Sequence, residues 1–152
     1  MKYKLFLIPS LCDGCLACMY ACSLRKYGVL DLRRSAIKIV MEPEVSINVC
    51  RHCDPAPCVD ACPFNALEVI DGRVILNEEL CNSCKACLSL CPFNAIIPTY
   101  GGKFIKCDLC GGDPECVKVC PHNAIVYVKS PHKDYGLVKL KTEVYKFLTS
   151  HQ

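Results

Sequence analysis

The sequence has no tryptophan, only five phenylalanines and no long apolar run. Its apolar fraction of 52% falls to about 41% once the cysteines are set aside, a thin supply for a 152-residue core. Chains so placed rely on cross-links or bound metal. No stretch approaches the ~20 apolar residues that cross a bilayer. The start, Met1 to Pro9, has too short an apolar run for a signal peptide, and no small-residue cleavage site follows it. The expectation is a cytoplasmic protein with no direct membrane insertion. Also missing are a glycine-rich nucleotide loop, paired acids at catalytic spacing and a left-over thiol. No catalytic residue is therefore expected.

What the chain does have is cysteine, 16 in 152 residues. In a reducing compartment such a count points to metal rather than disulfides. The cysteines fall into four groups: Cys12, Cys15, Cys18, Cys22; Cys50, Cys53, Cys58, Cys62; Cys81, Cys84, Cys87, Cys91; and Cys107, Cys110, Cys116, Cys120. The first and third are spaced C-x2-C-x2-C-x3-C. The second has x4, and the fourth x5, between its middle cysteines. Structural zinc prefers two C-x2-C pairs parted by a longer loop. A Rieske centre needs histidine in place of two thiolates. Crowded fours of cysteine instead suit [4Fe–4S] cubanes, whose inorganic sulfides are wrapped by a tight loop of backbone N–H groups. Asp13 and Gly14 let the chain come close in the first loop. In runs of this kind the fourth cysteine ligates the other cluster of a pair, so four groups make two pairs. Four clusters, each near −2 with its thiolates, turn the formal charge of +3 into about −5. That excludes nucleic acid as a partner.

A repeat accompanies the groups. Cys62-Pro63-Phe64-Asn65-Ala66-Leu67 returns as Cys91-Pro92-Phe93-Asn94-Ala95-Ile96 and as Cys120-Pro121-His122-Asn123-Ala124-Ile125, 29 residues apart each time. Asp71-Gly72 between Leu67–Ile70 and Arg73–Leu76 predicts a hairpin. Gly101-Gly102 does the same between Ile96–Tyr100 and Lys103–Lys106. Strands are also predicted at Tyr3–Ile8, Ala36–Met41, Val45–Val49 and Ala124–Val128. A helix over Leu16–Lys26 is ended by Gly28. Leu137–Leu148 carries an apolar stripe at helical spacing. His52, between two ligands, reads as solvated in preference to tuning a cluster. His122, His132 and His151 have no evident partners.

With these residues in view, the chain resembles the four-cluster, ferredoxin-type electron-transfer subunits of complex oxidoreductases. These serve molybdenum and tungsten pterin enzymes, some nickel–iron hydrogenases and carbon monoxide dehydrogenase. The likeness covers residues 1–130 and is most specific at Cys50–Pro63 and Cys107–Pro121. It implies an α+β fold of two nested bacterial-ferredoxin-like modules, with short β-hairpins and short helices around four cubane clusters. The outer module is 1–35 plus 101–136, the inserted module 36–100, and 137–152 an amphipathic tail.

Carried over by motif, the resemblance gives four ligand sets: Cys12, Cys15, Cys18 with Cys120; Cys107, Cys110, Cys116 with Cys22; Cys50, Cys53, Cys58 with Cys91; and Cys81, Cys84, Cys87 with Cys62. Because Cys84 is present, no [3Fe–4S] cluster is expected. The implied function is electron relay between a large catalytic subunit and a soluble acceptor or donor such as ferredoxin. A tungsten or molybdenum pterin oxidoreductase acting on aldehyde, formate or a related substrate is favoured as that subunit. A hydrogenase, carbon monoxide dehydrogenase, or a free-standing polyferredoxin shuttle are the alternatives. Residues 1–35 hold six Lys/Arg against two acids, 101–152 eight against five, and 36–100 four against eight. Positive surroundings favour a reduced cluster, so the outer pair is expected at the higher potentials.

Overall fold

The computed structural model describes residues 2–130, so the stripe at Leu137–Leu148, His132 and His151 lie outside the described residues. Among these residues eight short strands pair into four two-stranded antiparallel sheets, with four short α-helices between them. β1 (Lys2–Leu7) pairs with β8 (Ile125–Ser130), Leu7 opposite Ile125, and so joins the two ends of this span. β2 (Lys38–Val40) pairs with β3 (Ser46–Asn48). β4 (Leu67–Ile70) and β5 (Arg73–Leu76) form the expected hairpin, with Asp71 at φ 49° and Gly72 at φ 76°. Positive φ at both turn positions matches the right-handed twist of the strands. β6 (Ile96–Pro98) and β7 (Phe104–Lys106) are joined through Gly101 and Gly102.

Helix α1 (Ala17–Tyr27) is the longest. Gly28, in the left-handed region at φ 70°, caps it by donating its N–H to the Leu24 carbonyl at 2.8 Å. α2 (Pro57–Asp60), α3 (Ala86–Leu90) and α4 (Glu115–Val119) each hold the third cysteine of a group. The fourth cysteine then stands at or just beyond the helix end, where proline follows it. α1 packs against α4, and α2 against α3.

Two separate apolar clusters result. One gathers Leu5, Leu7, Met19, Ile37, Ile47, Val49, Leu109 and Ile125. The other gathers Ala56, Leu67, Val74, Ile96 and Phe104. The β2–β3 hairpin thus contributes to the first, and β7 to the second. Cysteines line both, so the space a larger core would fill is bounded by sulfur. Among the described residues no helix is long and apolar enough to cross a membrane.

Candidate iron–sulfur centres

Each cysteine loop is bent by the same device. The residue before the second cysteine has positive φ in all four groups: Gly14 (78°), His52 (48°), Ser83 (64°) and Leu109 (58°). That turn aims backbone N–H groups at sulfur. The N–H of His52 donates to Cys50 Sγ at 3.3 Å, and that of Leu109 to Cys107 Sγ at 3.4 Å. At Gly14 the positive φ favours glycine, and an added Cβ would stand 2.7 Å from the end of the exposed, flexible Met41 side chain, which can swing aside.

The repeated Cys-Pro-x-Asn-Ala closes a second loop over the fourth cysteine. Asn65, Asn94 and Asn123 sit at φ 51°, 48° and 52°, a conformation asparagine tolerates and most residues resist. The following alanine then donates its N–H back to the cysteine: Ala66 to Cys62 at 3.4 Å, Ala95 to Cys91 at 3.4 Å, Ala124 to Cys120 at 3.3 Å. The first group lacks this motif, and Ala36, fourteen residues on, supplies the matching bond to Cys22 at 3.3 Å. All four alanines are only 1% exposed. The repeat marked three of these alanines in the sequence, though not their role; nothing there marked Ala36.

The structure gathers the cysteines across the groups. Cys12, Cys15, Cys18 and Cys120 line one cavity. Cys22, Cys107, Cys110 and Cys116 line another, of about 310 Å³, and Cys62, Cys81, Cys84 and Cys87 a third. Around Cys58 stand Cys50, Cys53 and Cys91. Burial raises the Cys18 thiol to about 12, and Cys12, Cys120 and Cys15 add to the effect. Burial likewise raises Cys58 to about 11 against the pull of Lys106, and moves Cys87 and Cys116 upward. Such crowded sulfurs need cations to hold them as thiolates, which is what iron supplies. Among the described residues no three His, Cys, Asp or Glu close on a single ion, and the cavity lined by Cys22, Cys107, Cys110 and Cys116 is larger than one ion. Four thiol donors with N–H groups aimed at sulfur fit a cubane.

Two histidines differ from expectation. His52 is not solvated: it is 1% exposed, and Val74 N–H donates to its Nδ1 at 3.0 Å. Burial and the neighbouring Lys106 charge depress it to about 3, so it is neutral, with its proton on Nε2. The bond from the β5 backbone holds the ring inside. His122 does have a partner, with Nε2 2.8 Å from Asp13 Oδ2 across the span.

Sequence reading also missed Lys106. This lysine is 3% exposed, and its ammonium donates to Cys50 Sγ at 2.9 Å, to the Val74 carbonyl at 2.6 Å and to the Cys107 carbonyl at 3.2 Å. Arg51 is half-buried beside Cys50 and Cys53, its guanidinium carbon 5.4 Å from the Phe93 ring centre. By contrast Lys26 is neutralised by Asp108 at 2.9 Å.

Residues 41–130 match the 4Fe-4S dicluster domain, and residues 9–28 a 4Fe-4S binding domain. The chain is 44% identical over 78 residues to formate hydrogenlyase subunit 2 of Escherichia coli K12, covering 50% of this chain and 38% of that protein. It is 37% identical over 86 residues to the polyferredoxin-like subunit of an aliphatic sulfonate oxidoreductase of Pyrococcus furiosus, covering 54% and 50%. These matches span half or less of the relatives' lengths. In fold the chain is similar to the active-site complex BamBC of benzoyl coenzyme A reductase, with TM-score 0.50, 20% identity, and 97% and 89% of the two chains covered. The α+β, ferredoxin-like fold follows.

Proposed function

The chain belongs to the 4Fe-4S dicluster domain family and is an iron–sulfur electron-transfer protein, and from that premise we propose that it relays electrons through four [4Fe–4S] clusters as a subunit of a larger oxidoreductase. The proposed ligand sets are Cys12, Cys15, Cys18, Cys120; Cys22, Cys107, Cys110, Cys116; Cys50, Cys53, Cys58, Cys91; and Cys62, Cys81, Cys84, Cys87. The observation that carries this reading is the meeting of cysteines from different groups around shared spaces.

The sets fall in a row. Cys18 and Cys22 share α1, and Cys116 and Cys120 are joined through α4, linking the first two. Cys58 and Cys62 are joined through α2, and Cys87 and Cys91 through α3, linking the last two. The bond from Lys106 to Cys50, next to Cys107, links the middle. The exposed ligands are Cys15 and Cys84, one in each terminal set. Electrons therefore enter and leave at these ends. When bound, the clusters supply one-electron chemistry; the protein positions them, excludes water and sets potentials. The two cores support two modules, one holding each pair, with Ile37, Ile47 and Val49 packed in the outer core and Phe104 in the inner one.

The named relatives are subunits of redox complexes, which favours a large catalytic partner over a free shuttle. We place that partner in the tungsten or molybdenum pterin class, with a soluble carrier such as ferredoxin at the other end, in the cytoplasm. Anaerobic purification of the tagged chain from its native host tests this. Co-elution with a large subunit carrying tungsten or molybdenum supports it. A monodisperse chain carrying clusters but no partner supports the shuttle and overturns the subunit reading.

A further inference from the structure

Resting on the ligand sets just proposed, we infer that Lys106 is a potential-setting residue: its ammonium, buried against the Cys50 sulfur where the two cluster pairs meet, makes the Cys50 cluster the first of the four to be reduced.

An ammonium has three N–H donors, and here three acceptors receive them: one sulfur and two carbonyls. None of the three is a carboxylate. A buried cation without a counter-charge is costly, so this site calls for negative charge close by. A thiolate-ligated cluster supplies it, and supplies more of it after reduction. One electron from a low-potential donor lowers the core charge by one; no bond forms or breaks. Lys106 favours the reduced state by attraction alone, at short range and away from water.

At two of the other sets a nearby cation is matched by a carboxylate. Near the Cys107 set, Lys26 is paired with Asp108, which also accepts the Cys110 N–H at 2.9 Å. Near the Cys12 set, His122 is matched by Asp13. Arg51 adds a second cation beside Cys50 and Cys53. The basic ends favour the outer pair on segment charge, but a desolvated ammonium at 2.9 Å outweighs distant, screened surface charge.

The position adds a consequence. Lys106 bonds to Cys50 and directly precedes Cys107, so it lies at the step between the two pairs. An electron arriving from either end settles at this junction. The relay then has a central well, and both ends discharge through it.

The experiment is a redox titration of the full-length protein, followed by electron paramagnetic resonance, for wild type, Lys106→Met and Lys106→Arg. In Lys106→Met one cluster loses at least tenfold in its one-electron reduction equilibrium, about 59 mV. The Cys107 cluster shifts less, the two terminal clusters stay put, and Lys106→Arg recovers most of the loss. A Lys106→Met protein with full iron and four unmoved potentials overturns the inference. If that variant fails to hold its clusters, wild type labelled with ¹⁵N at lysine Nζ alone decides. The first signal to appear on reduction then shows coupling to a lysine nitrogen, and lack of coupling overturns the inference. Iron well below about sixteen per wild-type chain would instead defeat the ligand sets themselves.

Discussion

Asn94 shows how one residue type serves a cluster without touching it. At φ 48° it turns the chain so that Ala95 N–H reaches Cys91 Sγ. A β-branched residue resists that conformation by about 1–2 kcal/mol. Asn94→Val is therefore expected to lower stability by about that amount, whereas Asn94→Gly is near neutral. Denaturant titrations followed by cluster absorbance measure both. The thiols obey a related logic. Burial holds Cys18 and Cys58 at about 12 and 11 without metal, so each must shed a proton when iron binds. Protons therefore compete with iron. Cluster absorbance is expected to bleach as pH falls and to hold on the alkaline side; bleaching confined to alkaline pH would contradict this.

Among the elements, the pairing of β1 with β8 decides which cysteines meet. It brings Cys12–Cys18, just after β1, to Cys120, just before β8. Ile125, 2% exposed in the first core, is part of that closure. Ile125→Ala is expected to cost about 2–5 kcal/mol. Because the second core is separate, the loss should fall on the outer pair of clusters first, leaving about eight irons of sixteen. Iron assay after mild chelation checks this, and equal loss from all four clusters would contradict it. The Asp71-Gly72 hairpin and the Gly28 helix end were legible in the sequence because local conformation alone dictates them. So were the cysteine groups, which are fixed by spacing along the chain. The β1–β8 closure was not, since it joins strands more than a hundred residues apart. His52, Lys106 and Ala36 were hidden for the same reason. A polar residue beside a ligand reads as surface until distant strands cover it. Ala36 became a donor only when the chain folded back on Cys22.

At the scale of the molecule, two small cores and sixteen cysteines share one task. The apolar residues are too few to make a rigid body alone, and the clusters supply the remaining cross-links. Among the described residues, four short sheets and four short α-helices then act as spacers, and in the proposed arrangement they hold the ligand sets in a row with exposed ends. The central claim is that every thiolate here bonds to iron in a cubane, and its most direct test is the metal content of the anaerobically purified chain. About sixteen iron and about sixteen acid-labile sulfide per chain are predicted. Zinc in place of iron, or cysteines closed into disulfides, would contradict the account.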